Sequence, residues 1–544
     1  MAKSGKDAEP THKGATTRGS AKLLYNSALV SPLMLTALSV AFSLSMASGM
    51  ASAASVTRGP YLQLGTTSNI TVRWRTDQPT SSRVQFGLSP QTLNWQVLDS
   101  ALVIDHTLTL TNLAENTRYY YAVGGPSALV SGPGLYFHTA PIHAKPTRIW
   151  VLGDAGTSFN QPDYSQLGLI VEGQRAVRDA YYAHAGSRYA DVWLLLGDNA
   201  YNDGRDNDYT SNFFNIYPQI TGQSVIWPAI GNHEVDLSTG DATAYLDIFS
   251  LPTQGEAGGV ASGDEHYYSF DYGNIHFVCL DSEIASREPG SAQLTGLAAD
   301  LAANIKDWLI VFWHSPPYSK GSHDSDSRSN LIKMRQNVVP LIEAFGVDLV
   351  LCGHSHVYER SYLIDGHYGF SSSWSPTMAK DSGSGRTNDT GAYLKEGVGP
   401  NARQGAVYVV TGSAGWAWQS VGLNHPAMYV GMSVLGSLII DVNSNRLDAR
   451  FLRETGAMDD YFSIIKGGQA EPFRFATFRV RDGLVTAQWK SVAGARYRIV
   501  KRTNLQGSDW IDASGDILAT GATTSWTGSL DNSDESYFRV RKVD

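Results

Sequence analysis

Two Asp, one Tyr, one Asn and three His stand in five short motifs, each at the end of an apolar run. They are Gly153-Asp154-Ala155-Gly156, Gly197-Asp198-Asn199-Ala200-Tyr201, Gly231-Asn232-His233-Glu234, Val311-Phe312-Trp313-His314 and Gly353-His354-Ser355-His356. Oxygen donors and imidazoles in this mixture make a full ligand set for two neighbouring metal ions, with His233 left over. Two ions joined by a carboxylate are a standard device for cleaving phosphate esters. Asp198 is the natural bridge, because each of its oxygens can hold one ion with the pair roughly 3.5 Å apart. Tyr201 lies three residues later, so one loop can offer carboxylate and phenolate to the same metal. Phenolate is a hard anionic donor and favours Fe(III) over Zn(II). Asp154 completes the oxygen set. Each signal is weak alone, since Gly-Asp is common and a lone His is usually an interior residue. Five in order, each after a strand-like run, are specific.

The order and residue types resemble the purple acid phosphatases, a branch of the calcineurin-like metallophosphoesterases. Many calcineurin-like enzymes open with Asp-x-His, where the His binds the first metal; here that position is Gly156. The lost nitrogen and the gained Tyr201 belong together in the purple acid branch. The resemblance implies a first metal held by Asp154, Asp198, Tyr201 and His356, and a second held by Asp198, Asn232, His314 and His354. The neutral amide of Asn232 leaves the second site less charged and suited to Fe(II), Zn(II) or Mn(II). The resemblance also places His233 beside the phosphate as hydrogen-bond donor and acid. His323, nine residues after His314, falls where the plant enzymes carry one or two substrate-facing His, and Asp324 replaces a second one. Ser315-Pro316-Pro317-Tyr318 and Val357-Tyr358-Glu359-Arg360-Ser361 match the family as well. The implied activity is hydrolysis of small-molecule phosphate monoesters at acid pH, with a water acidified by the ions as nucleophile. A Mn- or Zn-dependent phosphodiesterase or other metallophosphoesterase is the alternative. A non-enzymatic surface binding protein is a further one, which the intact ligand set opposes.

The elements that must position these residues can be read around them. Strand-like runs at 148–152, 191–196, 224–230, 309–313 and 348–352 each lead into a motif or its start. Helical spacing follows at 164–184, through Leu167, Ile170, Val171, Ala176, Val177 and Ala180, and again at 297–308 and 331–345. A last strand is expected at 406–410. Strand–loop–helix repetition indicates an α/β domain, with motifs gathered at the strands' C-terminal ends. The resemblance makes it the four-layer α/β/β/α sandwich of the metallophosphoesterases, over residues 146–462. Residues 366–405, rich in Gly, Ser and Asn, read either as a mobile rim over the site or as a loop without a role.

Short alternating runs separated by turn signals flank this region. Residues 54–141 read as a β-sandwich, and Leu113, Thr117, Tyr119, Tyr121 and Val123 fit a fibronectin type III pattern with Tyr119 as the corner tyrosine. Residues 470–544 read as a second β-sandwich that the resemblance does not cover. Surface attachment, carbohydrate contact, sorting and simple packing against the core are its possible roles, with packing preferred.

A chain of 544 residues with 42% hydrophobic and 17% charged residues is an ordinary multidomain globular protein. Residues 1–53 read as an export signal: a basic leader (Lys3, Lys6, Lys13, Arg18, Lys22), an apolar stretch, then Ala51-Ser52-Ala53 as a cleavage site. Pro32 and interspersed Ser and Thr disfavour an uncleaved anchor, so no stable membrane span is expected after cleavage. Cleavage would remove five Lys/Arg and two Asp/Glu, taking the net charge from −9 to −12. So acidic a body argues against nucleic acid as main partner. An anionic substrate would then be drawn in by bound metals. Cys279 and Cys352, the two cysteines, sit inside apolar runs and read as buried free thiols rather than a disulfide.

Overall fold

The computed structural model describes residues 54–125, 129–156, 173–396, 404–418, 422–467, 475–491, 494–502, 511–530 and 536–543. The leader at 1–53 and the start of the helix expected from 164 lie outside the described residues.

The five motifs project from two seven-stranded sheets. The first runs Tyr393–Lys395, Met458–Lys466, Arg446–Arg453, Gly436–Asn443, Thr147–Leu152, Val192–Leu195, Ile226–Pro228. The second runs Tyr268–Tyr272, Ile275–Cys279, Trp308–Trp313, Leu349–Cys352, Val407–Thr411, Tyr358–Ser361, Met428–Met432. The motif-bearing strands pair in parallel, with Ile149 opposite Val192 and Ile310 opposite Leu349. Parallel strands are covered on both faces, which is why Val192-Trp193-Leu194-Leu195 and Trp308–Trp313 carry no charged residue.

Alternation along the second sheet divides its side chains between two cores. Phe277, Ile310, Phe312, Leu349, Leu351 and Val409 join the core that also holds Ile149, Val151 and Leu194 of the first sheet. Val278, Leu309, Val311, Val350 and Cys352 instead pack under Leu294, Leu297 and Leu301 of the helix Ala292–Ala303, and under Met334, Val338 and Ile342. Helix Gly173–Ala185 covers the first sheet, where Tyr181 stacks on Trp150 at 3.9 Å. The layers are helix, sheet, sheet, helix, as expected.

Several boundaries differ from the sequence reading. The helix expected at 297–308 spans Ala292–Ala303: the Ser291 hydroxyl caps it, accepting from the Leu294 N–H at 3.4 Å, and Trp308 opens the next strand. The helix expected at 331–345 runs from Ser329 to Ala344, with a wider π-turn at Met334–Val338 just before Pro340, which has no N–H to give. The expected last strand is Val407–Thr411, and Met428–Met432, Gly436–Asn443, Arg446–Arg453 and Met458–Lys466 follow it. The segment after 366 is no featureless loop. Leu363–Ile364 pairs with Ala379–Asp381, and Tyr393–Lys395 forms an edge of the first sheet. Its start reaches the loop bearing His323, where the Ser371 N–H donates to Asp326 at 3.0 Å.

In the N-terminal module, antiparallel strands bend where the register shifts between Arg75 and Ser82. The Tyr119 hydroxyl accepts from the Ala114 N–H at 2.9 Å, the corner role expected of it. The module docks on the α/β layers through polar contacts of three buried side chains of its own. Arg58 donates to Asp206 at 2.8 Å, Tyr61 to the Ile248 carbonyl at 2.8 Å and Tyr121 to the Gly222 carbonyl at 2.9 Å. The C-terminal strands form two small sheets around Trp489, Tyr497, Ile499 and Val540, a core separate from the others. Cys279 and Cys352 are buried and free. No helix among the described residues is long and apolar enough to cross a membrane.

Candidate metal centre

Each motif follows a strand that ends in a tight turn, and three of its residues take left-handed backbone angles: Asp154 (φ 54°), Asp198 (φ 50°) and His354 (φ 64°). A side chain there costs roughly 1–2 kcal/mol, and such strain collects where a fold must aim a functional group. All three side chains are buried, and their donor atoms fall in two groups that share Asp198.

The first cluster forms around Tyr201. Its hydroxyl donates to Asp198 Oδ2 at 2.8 Å and lies 3.2 Å from both Asp154 Oδ1 and His356 Nε2. His356 Nε2 is 3.3 Å from Asp154 Oδ1. The second cluster shares Asp198. His314 Nε2 stands 3.4 Å from Asp198 Oδ1, 3.1 Å from Asn232 Oδ1 and 3.1 Å from His354 Nδ1. His314 Nδ1–H donates to the Leu196 carbonyl at 2.9 Å, which turns Nε2 inward. Donor atoms of Asp198, His314 and His354, and separately of Asp154, Asp198 and His356, lie within 4.8 Å of one another.

The structure also explains the Gly at the position where Asp-x-His enzymes carry His. A Cβ on Gly156 would meet the Asn199 carbonyl oxygen at 2.0 Å, because the second motif's loop lies against it. The same approach lets the Tyr201 N–H donate to the Gly156 carbonyl at 2.7 Å. The residue that excludes a histidine therefore seats the tyrosine that stands in its place.

Electrostatically, the two donor groups fit a pair of cations. Burial and the carboxylates of Asp198 and Asp154 push the Tyr201 phenol well above its ordinary pKa, so only a neighbouring cation would make it a phenolate. Burial disfavours charge on His314, yet Asp198 and Asp154 raise its pKa to about 9. Burial also works against charge on Asp198, but His314 and His233 hold its pKa below the ordinary value. Two buried carboxylates thus demand positive charge, and imidazole and hydroxyl protons meet part of that demand. The donor set of carboxylate, phenol, amide and imidazole suits first-row metals.

His233 and His323 flank the clusters. His233 Nδ1–H donates to the Asn202 carbonyl at 2.5 Å, its Nε2 lies 4.0 Å from Asp198 Oδ2, and its side chain is 37% exposed. The His323 ring stacks on His354 at 3.9 Å, and its backbone N–H donates to Ser355 Oγ at 3.3 Å. Burial, then His356 and Arg328, lower the His323 pKa to about 4. All nine residues singled out in the sequence come together here.

Glu234 escaped that reading. Its buried carboxylate accepts from the backbone N–H groups of Asp198 (2.9 Å), Asn199 (2.8 Å), Ala200 (3.2 Å) and Gly231 (2.8 Å). It ties the second motif's loop to the third. The signal was a Glu next to His233 in the motif that offers Asn232, a place with no evident use for an acid on the surface. Burial and the Asp198 charge raise its pKa to about 7.

Residues 147–358 match the calcineurin-like phosphoesterase family, and residues 57–139 match the purple acid phosphatase N-terminal domain. The chain belongs to the purple acid phosphatase-type calcineurin-like phosphoesterases. Purple acid phosphatase 15 of Arabidopsis thaliana is 29% identical over 52% of this chain and 58% of its own length. The phosphoenolpyruvate phosphatase of Allium cepa is 28% identical over 54% of this chain and 60% of its own length. The chain therefore spans less than two thirds of these relatives. The purple acid phosphatase PPD1 of Lupinus luteus seeds superposes with a TM-score of 0.60 over 76% of this chain and 75% of that one, at 18% identity, a likeness of fold. Membership of this family implies a dinuclear metal centre, and the two donor clusters are its counterpart here.

Proposed function

We propose that this chain is an exported phosphate monoesterase with two metal ions. Asp154, Asp198, Tyr201 and His356 would hold Fe(III), and Asp198, Asn232, His314 and His354 a divalent Fe, Zn or Mn. The observation that carries the reading is that two buried donor clusters share one carboxylate, Asp198. When bound, the ions would supply positive charge to the phosphate oxygens and acidify a water.

The protein's own groups do the rest. Glu234 fixes the loop that aims Asp198 and Tyr201. The Leu196 carbonyl keeps His314 in the tautomer whose Nε2 faces the centre. His233, anchored through Nδ1–H, presents Nε2 on the open side, where it can donate to a phosphate oxygen or pass a proton to the leaving alkoxide. His323, kept neutral by burial, positions the ester and donates a hydrogen bond rather than titrating. The leader-like 1–53 segment supports a substrate met outside the cytoplasm, and the acidic body leaves the bound ions to draw in an anionic ester.

The test is hydrolysis of p-nitrophenyl phosphate against bis(p-nitrophenyl) phosphate by metal-replete protein, before and after chelation. Faster turnover of the monoester, lost on chelation and regained with metal, is expected. Preference for the diester, or turnover indifferent to chelation, contradicts the proposal.

A further inference from the structure

Beside the first cluster, the segment 412–418 carries two indoles that the proposed chemistry leaves unused. The segment is tied to the site's own backbone: the Gly415 N–H donates to the Asp154 carbonyl at 3.0 Å, and the Trp418 N–H to the His356 carbonyl at 2.8 Å. The Trp416 ring stands edge-on to His356, centroids 5.2 Å apart at 88°. Trp418 follows at 5.0 Å from Trp416 and 49°, and is 41% exposed. The Trp418 indole is thus open to water, one ring outward from Trp416, on a backbone tied to His356. An exposed Trp face offers stacking to a flat ring, and its worth does not depend on which ring it is.

We propose that Trp418, backed by Trp416, is a specificity-determining platform for phosphate monoesters whose leaving group carries a flat aromatic ring, as nucleotides and phosphorylated aromatic side chains do. The inference rests on the monoesterase reading and names its substrate class. The phosphate would sit at the two clusters, and the ring would lie outward from His356 against Trp418. The backbone ties hold the platform's main chain in place before a ligand arrives, which lowers the ordering cost of stacking. Trp416 sets the platform's height above His356, and Trp418 makes the contact.

The comparison that isolates the ring uses adenosine 5′-monophosphate against ribose 5-phosphate, which share the reacting ester and differ by the base. Wild type is expected to favour the nucleotide in kcat/KM by about tenfold, the worth of one stacked base. Trp418→Ala is expected to bring the ratio close to one through loss on the nucleotide, and Trp418→Phe to keep most of it. Phenyl phosphate against ethyl phosphate separates direct aryl esters from rings set further out. A second readout needs no turnover: saturation-transfer NMR on adenosine, where base protons are expected to be saturated by wild type and not by Trp418→Ala. Equal ratios in wild type and Trp418→Ala, or no saturation of the base by wild type, overturn the inference. Base saturation lost in Trp418→Ala, in a protein that hydrolyses neither ester, would uphold the platform and reject the monoesterase reading.

Discussion

At the scale of single residues, His233 and His323 occupy similar places in the sequence pattern but different physical states. His233 is anchored at one ring nitrogen with its side chain 37% exposed, while His323 is packed on His354 and its pKa is lowered to about 4. A proton donor must be able to carry the proton near the working pH. His233→Ala is therefore expected to lose on the order of 10²-fold in kcat on alkyl phosphates and less on p-nitrophenyl phosphate, whose phenolate leaves unaided. His323→Ala is expected to cost less and to show no leaving-group dependence, with metal content unchanged in both variants. Steady-state kinetics over a series of leaving groups decides; equal losses across the series for His233→Ala would remove its acid role. Tyr201 supports a second prediction. A phenolate on ferric iron gives a broad visible band, so Tyr201→Phe should bleach it with the fold intact by circular dichroism. A colourless wild type active with Mn or Zn alone would overturn the Fe(III) assignment.

Among the elements, the edge hairpin Tyr268–Tyr272 and Ile275–Cys279 carries a buried ionic clamp away from the site. His276 Nδ1 binds Asp271 at 2.8 Å and Nε2 binds Asp300 at 2.9 Å, so both ring nitrogens face carboxylates. Burial opposes the charge, but the two hydrogen-bonded carboxylates raise the pKa from 6.5 to about 9. Because the folded pKa is raised, this stabilisation is fully present below about pH 6.5 and is lost as pH rises through about 9. His276→Gln leaves Asp300 buried without its counter-charge, which costs about 3–5 kcal/mol. Thermal melts are expected to show a wide gap between the two proteins at pH 6 that narrows by pH 10; a gap constant with pH would contradict the clamp. The strands that carry ligands were legible in the sequence because burial on both faces leaves unbroken apolar runs such as 192–195. The strands at 436–466 were not, because their outward charges look like loop. In the structure Asp441 pairs at 2.7 Å with Arg148, on a strand far away in sequence, and at 2.9 Å with Arg450 of the next strand. Glu234 was hidden for a similar reason: three of its four partners are backbone groups of the second motif, and the fourth is Gly231 of its own.

On the scale of the whole molecule, the two flanking β modules relate differently to the centre. The N-terminal one is welded on through Arg58, Tyr61 and Tyr121, buried side chains whose partners lie in the catalytic layers. Among the described residues, the C-terminal one has its own core around Trp489, Tyr497, Ile499, Ala519 and Val540. A chain ending before Phe475 is therefore expected to keep its metals and its turnover within a factor of about two, the scatter expected of changes remote from a site. A chain lacking residues 54–141 is expected to be insoluble. Loss of turnover in the first truncation, or a soluble active product from the second, would reverse this assignment of roles.

Two ions sharing Asp198 form the proposed centre, and elemental analysis of the purified protein counts them. Two metals per chain are expected in wild type, and loss of both in Asp198→Ala, since removing the bridge weakens each site. An active wild type with fewer than two metals, or an Asp198→Ala protein that keeps two, would contradict it.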